Sequence, residues 1–259
     1  MDQSTIDFEW RSGGRKASLT DLAYERIEEL FVQMHLRPGA SIRMQDLQDL
    51  VGLGRTPVHL AVRRLAAETL LDIRPRDGLT ISTIDLARER RLARLRRDID
   101  RFVVEAAARN KTGNHGSRLT FWRRRLEGAR SELTVETFNR FDRTFDLLLI
   151  EATGERFLER TYRPLHAFAR RVGLLNLTQL SGSAGLDQTV DRHFDLLDAI
   201  VAGNVAKARK ASDALVDFSI SLIEGIAGNV DPALLDASLV DPQRWAPPET
   251  VPEHPDAAA

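Results

Sequence analysis

Apolar residues in the first third of the chain recur first at the spacing of helices and then at the spacing of strands. Over Leu19–Met34 they fall every three or four positions, which predicts one amphipathic helix. Two short apolar runs, Leu70–Ile73 and Leu79–Ile81, flank the dipeptide Asp77-Gly78, an arrangement typical of a β-hairpin. Between the helix and the hairpin, we expect a short helix, a tight turn and a second helix.

The second of these helices, which starts near Arg55-Thr56-Pro57, has one apolar and one polar face. Thr56 has the hydroxyl of an N-cap residue, and Pro57 suits the first helical position. The positions expected to face the core are Val58, Ala61, Val62 and Leu65, and those left outside are His59, Leu60, Arg63 and Arg64. The order of helix, turn, helix and hairpin predicts a winged helix-turn-helix, which inserts one helix into the major groove of DNA.

Almost all of the chain after Thr83 has helical periodicity. We predict six helices there, over residues 84–111, 118–131, 135–152, 156–175, 186–202 and 205–224. The fold class is therefore mostly α, with a small hairpin wing in the N-terminal domain. We expect a disordered arm (1–17), a winged helix-turn-helix domain (18–83), a helical domain (84–228) and a disordered tail rich in Pro, Asp and Ala (229–259).

Composition and charge are those of a cytoplasmic protein. There is no cysteine, so disulfides and thiolate metal sites are excluded. No apolar run is long enough to span a membrane, and the first residues lack the basic-then-apolar plan of a signal peptide. The formal net charge is only −1, but arginines cluster locally within the winged unit, at Arg55, Arg63, Arg64, Arg74 and Arg76.

The run Leu36-Arg37-Pro38-Gly39, the segment Val51–Val58 and the pair Arg64-Leu65 resemble the GntR family of bacterial transcription regulators. The resemblance covers about residues 23–81. It implies helices over about residues 19–35, 44–51 and 57–69, followed by a two-stranded wing. With the local arginines, it predicts DNA contacts at Arg55, Thr56, His59, Gln45, Arg63, Arg76 and the wing-tip Gly78.

The chain departs from the family pattern where DNA is expected. A basic residue is usual at Gln45, an arginine at His59 and a glutamate at Leu60. Losing two positive charges should weaken non-specific attraction to phosphates and flatten its salt dependence. An outward Leu60 either touches a thymine methyl or packs against a neighbouring helix.

The helical domain resembles the effector-binding domain of the FadR subgroup of that family, over about residues 85–223. The likeness is carried by Arg96 with Asp100, the segment Phe141–Asp146, Ala152-Thr153-Gly154 and the region around His193. It implies an antiparallel bundle of six or seven helices around a pocket for small organic acids. It also implies a homodimer that binds a palindromic operator.

Many members of the subgroup hold a metal in the pocket through one aspartate and three histidines. Here Asp142 stands at the aspartate position, Asp146 and His193 stand at two histidine positions, and Leu215 replaces the third histidine. These three side chains could still bind a divalent ion with waters. The alternative is a hydrogen-bonded polar cluster of the same residues without metal.

Without metal, an acidic effector needs another positive partner, for which the planar guanidinium of arginine is suited. We expect Arg96 to be this partner, with Arg143 and Arg170 as weaker candidates. The predicted effector-binding residues are therefore Arg96, Asp142, Asp146, Arg143 and His193. His166 is interpreted as a surface or packed residue rather than a ligand.

The combined hypothesis is a repressor that a small carboxylate metabolite releases from DNA. Two other classes of protein stay open: a metal-dependent helical-bundle enzyme, and a binding module whose winged helix-turn-helix domain no longer binds DNA. The chain has no Gly-rich phosphate loop, no nucleophile motif and no HExxH spacing, which argues against an enzyme.

Overall fold

The computed structural model describes residues 18–76, 78–110 and 113–239. These residues divide into two compact units. One comprises residues 18–85 together with residues 230–239, and the other comprises residues 86–229. The last described residues therefore belong to the same unit as the N-terminal helices.

The N-terminal unit contains three helices and a small antiparallel sheet. In chain order these are α1 (Leu19–Val32), β1 (Ser41–Ile42), α2 (Met44–Val51), α3 (Arg55–Ala67), β2 (Leu71–Arg74) and β3 (Gly78–Ile81). The strand order is β1-β3-β2, and Leu79 of β3 pairs with Ile42 on one side and Ile73 on the other. Strands β2 and β3 form the predicted hairpin, whereas β1 is too short to have a hydrophobic pattern of its own.

Helices α1 and α3 pack through the apolar faces that their sequences predict. The inward positions of α3 are completely buried, as are Ala23 and Ile27 of α1 to within 1%. The start of α1 is fixed by a capping box, in which Ser18 and Asp21 each accept the backbone N–H of the other. Burial of these two faces forms the core on which α3 is held.

Helix α3 begins earlier than expected. Its N-cap is Gly54, and the prediction that Thr56 caps the helix is wrong. The turn after α2 is short because Gly52 ends that helix in the left-handed conformation, with φ of 65°. Helix α3 then starts at Arg55, and Pro57 lies inside its first turn, where its missing N–H has no helical partner to lose.

The second unit is a bundle of six long helices, which confirms the predicted fold class. They are α4 (Leu86–Arg109), α5 (Gly113–Ala129), α6 (Val135–Ala152), α7 (Arg156–Asn176), α8 (Gly182–Val201) and α9 (Val205–Ile226). A 3₁₀ turn follows α5, and a π-helical turn over Leu177–Ser181 joins α7 to α8. None of the described helices is long and apolar enough to cross a membrane.

The chain after α9 returns to the N-terminal unit. It forms α10 (Pro232–Leu235) and a 3₁₀ turn over Ala237–Leu239. The backbone N–H of Ala237 donates to the carbonyl of Pro38 at 2.8 Å, and the N–H of Ile84 donates to the carbonyl of Leu235 at 2.9 Å.

The prediction of a disordered tail is therefore wrong for residues 229–239. Their composition favours disorder, but hydrogen bonds to distant parts of the backbone give the segment one conformation. The remaining tail, residues 240–259, and the expected arm, residues 1–17, lie outside the described residues.

Gly39 lies where this C-terminal segment meets the N-terminal unit. Its φ is 76°, and a Cβ atom there would overlap Asp236 Oδ1 and lie 3.1 Å from the backbone nitrogen of Ala237. Gly52 has a similar φ of 65°, but the nearest atom to a Cβ there is Nη1 of Arg26, at 3.7 Å. The two glycines thus share the backbone requirement and differ in the space around them.

We expect Gly39→Ala to lower the free energy of unfolding more than Gly52→Ala, which should cost about 1–2 kcal/mol for the left-handed backbone alone. Denaturant unfolding of both variants measures the difference. In a chain that ends at Asn229 the two substitutions should cost the same. An excess cost at Gly39 that survives the truncation would contradict the packing of the C-terminal segment against this loop.

Candidate functional sites: recognition helix and bundle cavity

The outward face of α3 is exposed and basic. Arg55, Thr56, Leu60 and Arg63 are exposed on it, and His59 is half-buried at its edge. Leu60 is 47% exposed, so a large part of its side chain is available for contact outside the described chain. The structure therefore brings together, on one face, four of the residues predicted to contact DNA: Arg55, Thr56, His59 and Arg63.

Arg64 does not belong to this face, and the prediction that it points outward is wrong. Its guanidinium lies 3.9 Å from the ring centre of Tyr24, and it pairs with Glu68 at 3.0 Å and with Asp21 at 3.8 Å. Arg64 lies about 100° further round the helix than Arg63, where α1 covers it. It fastens α3 to α1 and so positions the exposed face.

The other predicted DNA contacts lie on α2 and in the hairpin. Gln45 is exposed on α2, and its side-chain amide donates to Asp49 Oδ1 at 2.9 Å. Arg76 is exposed in the turn between β2 and β3. Gly78 begins β3 with φ of 99°, and a Cβ atom there would lie 2.7 Å from the carbonyl oxygen of Ile42. Packing of β1 therefore requires a glycine at this position.

A cavity of about 120 Å³ lies inside the helical bundle. Much of its wall is apolar, with contributions from residues that include Phe138, Phe145, Leu149, Phe168, Leu196 and Leu222. One part of the wall is strongly polar and draws on α4, α6, α7 and α8: Arg96, Asp100, Asp142, Asp146, His166, Arg170 and His193.

His193 makes polar contacts with both of its ring nitrogens. Nδ1 lies 2.8 Å from the carbonyl oxygen of Thr189, and Nε2 lies 3.0 Å from Asp142 Oδ1. A carbonyl only accepts hydrogen bonds, so Nδ1 carries a proton. A neutral ring would then turn the lone pair of Nε2 toward a carboxylate, and the two would repel. The contacts thus favour an imidazolium paired with an aspartate anion.

The pKa values of this pair shift in the directions that the contacts require. Burial opposes both charged forms. The charge of Asp142 nevertheless raises the pKa of His193 above its usual value, and the charge of His193 holds the pKa of Asp142 below its usual value. Each partner therefore keeps the other ionised inside the bundle.

His166 lies between two carboxylates. Its Nδ1 contacts Asp146, and its Nε2 lies 3.7 Å from Oδ1 of Asp100, which also pairs with Arg96 at 3.1 Å. Burial lowers the pKa of His166, but the charge of Asp146 and the hydrogen bonds to Asp100 and Asp146 together outweigh burial and raise it. For Asp146 itself, burial dominates and raises the pKa. Because the pKa of each group is raised, the pair of His166 and Asp146 keeps a proton to higher pH than the separate groups would in water.

A further buried ion pair borders the cavity. Glu89 lines the wall, and its carboxylate lies 3.9 Å from the guanidinium of Arg171, whose side chain is completely buried. Burial lowers the pKa of Arg171 to about 9. This pair is neutral as a unit, so it adds no net charge to the wall.

The structure places four of the five predicted effector residues on the cavity wall: Arg96, Asp142, Asp146 and His193. Arg143 is not among the lining residues. It follows Asp142 directly and so lies about 100° round α6 from it. The assignment of Arg143 to the effector site is therefore corrected.

The interpretation of the sequence missed His166 and undervalued Arg170. Tyr162, His166 and Arg170 recur every four residues on α7, and all three line the cavity. That spacing was the available signal, since residues four apart share a helix face. The spacing shows that these three residues share a face of α7, but it does not show that this face meets acidic residues of α6.

The polar wall does not fit a metal ion. Within residues 18–76, 78–110 and 113–239, no three His, Asp or Glu side chains are arranged to hold one. Asp142 and Asp146 are instead engaged with histidines, and Leu215 lines the cavity where a further ligand was implied. The contacts are those of the alternative left open by the sequence, a polar cluster, which His166 enlarges.

Comparison with known proteins gives a family match for each of the two parts of the chain. Residues 19–81 match the family model described as bacterial regulatory proteins, gntR family, and residues 91–218 match the FCD domain. The chain belongs to the GntR family. It is a DNA-binding transcriptional regulator, not an enzyme, and its FCD domain agrees with the FadR subgroup.

Individual relatives of this GntR regulator have low sequence identity to it, but the similarity covers most of each chain. It is 22% identical over 188 residues to HTH-type transcriptional regulator McbR of Escherichia coli (strain K12), covering 73% of this chain and 85% of the relative. It is 25% identical over 192 residues to an HTH-type transcriptional regulator in an unstable DNA locus of Streptomyces ambofaciens, covering 73% and 78%.

Two solved structures share the fold. Escherichia coli McbR/YncC superposes with a TM-score of 0.72 at 21% identity, covering 82% of this chain and 100% of that chain. A GntR transcriptional regulator from Rhodococcus sp. RHA1 gives a TM-score of 0.61 at 19% identity, covering 81% and 99%.

The buried histidine pairs of this GntR protein predict how its stability depends on pH. A histidine whose folded pKa is raised stabilises the fold fully below its ordinary value of 6.5, and this contribution is lost as the pH rises through the folded pKa. The lowered pKa of Asp142 adds a contribution that is lost in acid, below its ordinary 3.8. The raised pKa of Asp146 adds a contribution that is lost as the pH rises, as for the histidines, so these groups should make the bundle more stable in mild acid than above pH 6.5.

We expect the melting temperature of the bundle to fall as the pH rises above 6.5, and His193→Gln and His166→Gln to flatten that fall. Thermal denaturation followed by circular dichroism at several pH values measures it. His115→Gln, a change on α5 outside the cavity, is the control and should keep the slope. A wild-type slope of zero, or one that both cavity variants retain, would contradict the charged pairs.

Proposed function

We propose that this GntR regulator is a cytoplasmic repressor whose homodimer holds a palindromic operator until a small carboxylate binds in the bundle cavity. The observation that carries the proposal is the cavity, in which basic side chains and three aspartates line one part of an otherwise apolar wall. The residues proposed to contact DNA are those on the exposed face of α3 together with α2 and the hairpin: Arg55, Thr56, His59, Arg63, Gln45, Arg76 and Gly78.

The charge of the wall suits one carboxylate. Arg96, Arg170 and the two histidines face three aspartates, namely Asp100, Asp142 and Asp146. Basic groups thus outnumber acidic groups by four to three on this part of the wall, which suits an anionic ligand. Arg170 is the proposed partner, because it lines the cavity and its charge acts on both Asp142 and Asp146.

The size of the cavity restricts the ligand. A cavity of roughly 150 Å³ holds benzene, so one of about 120 Å³ suits a short aliphatic acid rather than benzoate, which is larger than benzene. The aromatic and aliphatic wall would pack against the apolar body of such an acid. We propose that the carboxylate meets Arg170 and that Asp142, Asp146 and His193 hold the polar wall in place.

A second copy of the chain has a candidate contact on α4. Leu95 and Phe102 lie seven residues apart on the same helix face, and they are 63% and 54% exposed. Large apolar side chains that share an exposed face mark interaction surfaces. We propose that this face contributes to the homodimer, which would explain two heads reading a twofold-symmetric operator.

Selection of bound sequences from random duplex DNA tests the DNA-binding half of the proposal. We expect an enriched motif with twofold symmetry and half-sites about one helical turn apart. Arg55→Ala should weaken binding by about 1–3 kcal/mol if it contacts a base, or lower the salt slope by about 1 if it contacts a phosphate. Arg140→Ala, on α6, is the matched control. Failure to enrich any motif would indicate a degenerate reading head.

Thermal-shift titration with acetate and butyrate tests the cavity. A ligand at a hundred times its Kd stabilises the folded state by about 2.7 kcal/mol, which should raise the melting temperature by roughly 5–10 °C. Arg170→Ala should abolish this increment and Arg143→Ala should keep it, each measured against its own ligand-free melt. Equal increments in the two variants would remove Arg170 from the proposed site.

A further inference from the structure

One apolar side chain interrupts the polar face of the recognition helix. Thr56, Leu60, Arg63 and Ala67 form the exposed stripe of α3, at the spacing of one helix face, and Leu60 lies at its centre. Its side chain is 47% exposed although Val58, Ala61 and Val62 around it are completely buried. The core of the unit therefore closes without Leu60.

The charges around Leu60 identify what this face meets. The outward arginines Arg55 and Arg63 flank it, and α3 contains no acidic residue from Arg55 to Ala67. Glu68, which follows the helix, is turned to Arg64 and Tyr24 on the inner side. A face with positive charge at its edges and a short aliphatic group at its centre complements a polyanion that has an apolar patch. Duplex DNA has such a patch in its major groove.

The thymine C5-methyl is the apolar group among the base edges of the major groove. A leucine pressed against a guanine, cytosine or adenine edge would bury donors and acceptors without partners, which is unfavourable. Against a thymine it buries one methyl group and leaves no polar atom unpaired. Leu60 thus selects thymine in two ways: contact with the methyl group is favourable, and contact with the edges of the other bases is unfavourable.

We propose that Leu60 is a specificity-determining residue that reads a thymine methyl in each half-site of the operator. The inference rests on the proposed binding of operator DNA and adds which base the centre of the helix selects. It places a required A·T pair in the part of each half-site that α3 covers, beside the bases or phosphates that Arg55 and Arg63 contact.

Uracil substitution tests this contact directly, because uracil differs from thymine only by the missing methyl group. Each thymine of the selected operator is replaced in turn by deoxyuridine, symmetrically in both half-sites, and the Kd is measured by fluorescence anisotropy. A buried methyl contributes about fourfold in affinity, so at one position we expect a loss of about fourfold for each half-site. At the remaining positions the loss should be small.

The same titrations with Leu60→Ala close a double-mutant cycle. This variant should bind the thymine operator more weakly and lose its sensitivity to uracil at the one position, while His59→Ala, one residue away, keeps it. Because Leu60 is exposed, Leu60→Ala should melt as the wild type does.

Two results would overturn the proposal while leaving the regulator intact: a wild type indifferent to uracil at every position, or a Leu60→Ala variant that keeps the wild-type sensitivity. The second result would also turn attention to Leu60 as a protein contact. If random-duplex selection enriches no motif at all, both this proposal and the proposed binding of an operator fail.

Discussion

Charge buried inside the helical bundle is the constraint on which the C-terminal unit depends. A buried carboxylate or imidazolium is tolerated only beside an opposite charge, so Asp142 requires His193 and Asp146 requires His166. These partners come from α6, α8 and α7, and their pairing dictates how those helices face one another. The cavity and its polar wall follow from that arrangement.

The N-terminal unit meets a different requirement, because α3 must pack firmly against the core and also leave its outward face exposed. Inward residues of α3 fill the core, and Arg64 stacks on Tyr24 and pairs with Glu68. The outward face is left with arginines and Leu60. The C-terminal segment adds a second chain connection, because residues 230–239 belong to this unit although they follow the bundle in sequence. The polypeptide chain thus passes between the N-terminal unit and the bundle twice, after residue 85 and again before residue 230.

Periodicity predicted the helices well, with α6 correct to the residue, because helix packing imposes one repeat that local sequence records. What it missed depends on tertiary contacts. His166 acquires its partner from α6, Arg64 is covered by α1, and residues 232–239 are ordered by the carbonyl of Pro38 and the N–H of Ile84. The family resemblance identified Asp142, Asp146 and His193 as cavity residues. It did not predict the carboxylate–histidine pairs that distinguish this wall from a metal site. The DNA-contact and effector roles of these residues remain predictions.

In the proposed function, occupation of the cavity sets the affinity of the DNA-binding domains for the operator. Operator Kd should be measured by fluorescence anisotropy with and without the carboxylate that stabilises the bundle, and carboxylate Kd by calorimetry with and without operator. We expect the carboxylate to raise the operator Kd by about 5–150-fold and the operator to raise the carboxylate Kd by the same factor. A carboxylate that binds the cavity and leaves the operator Kd unchanged would contradict the proposed function.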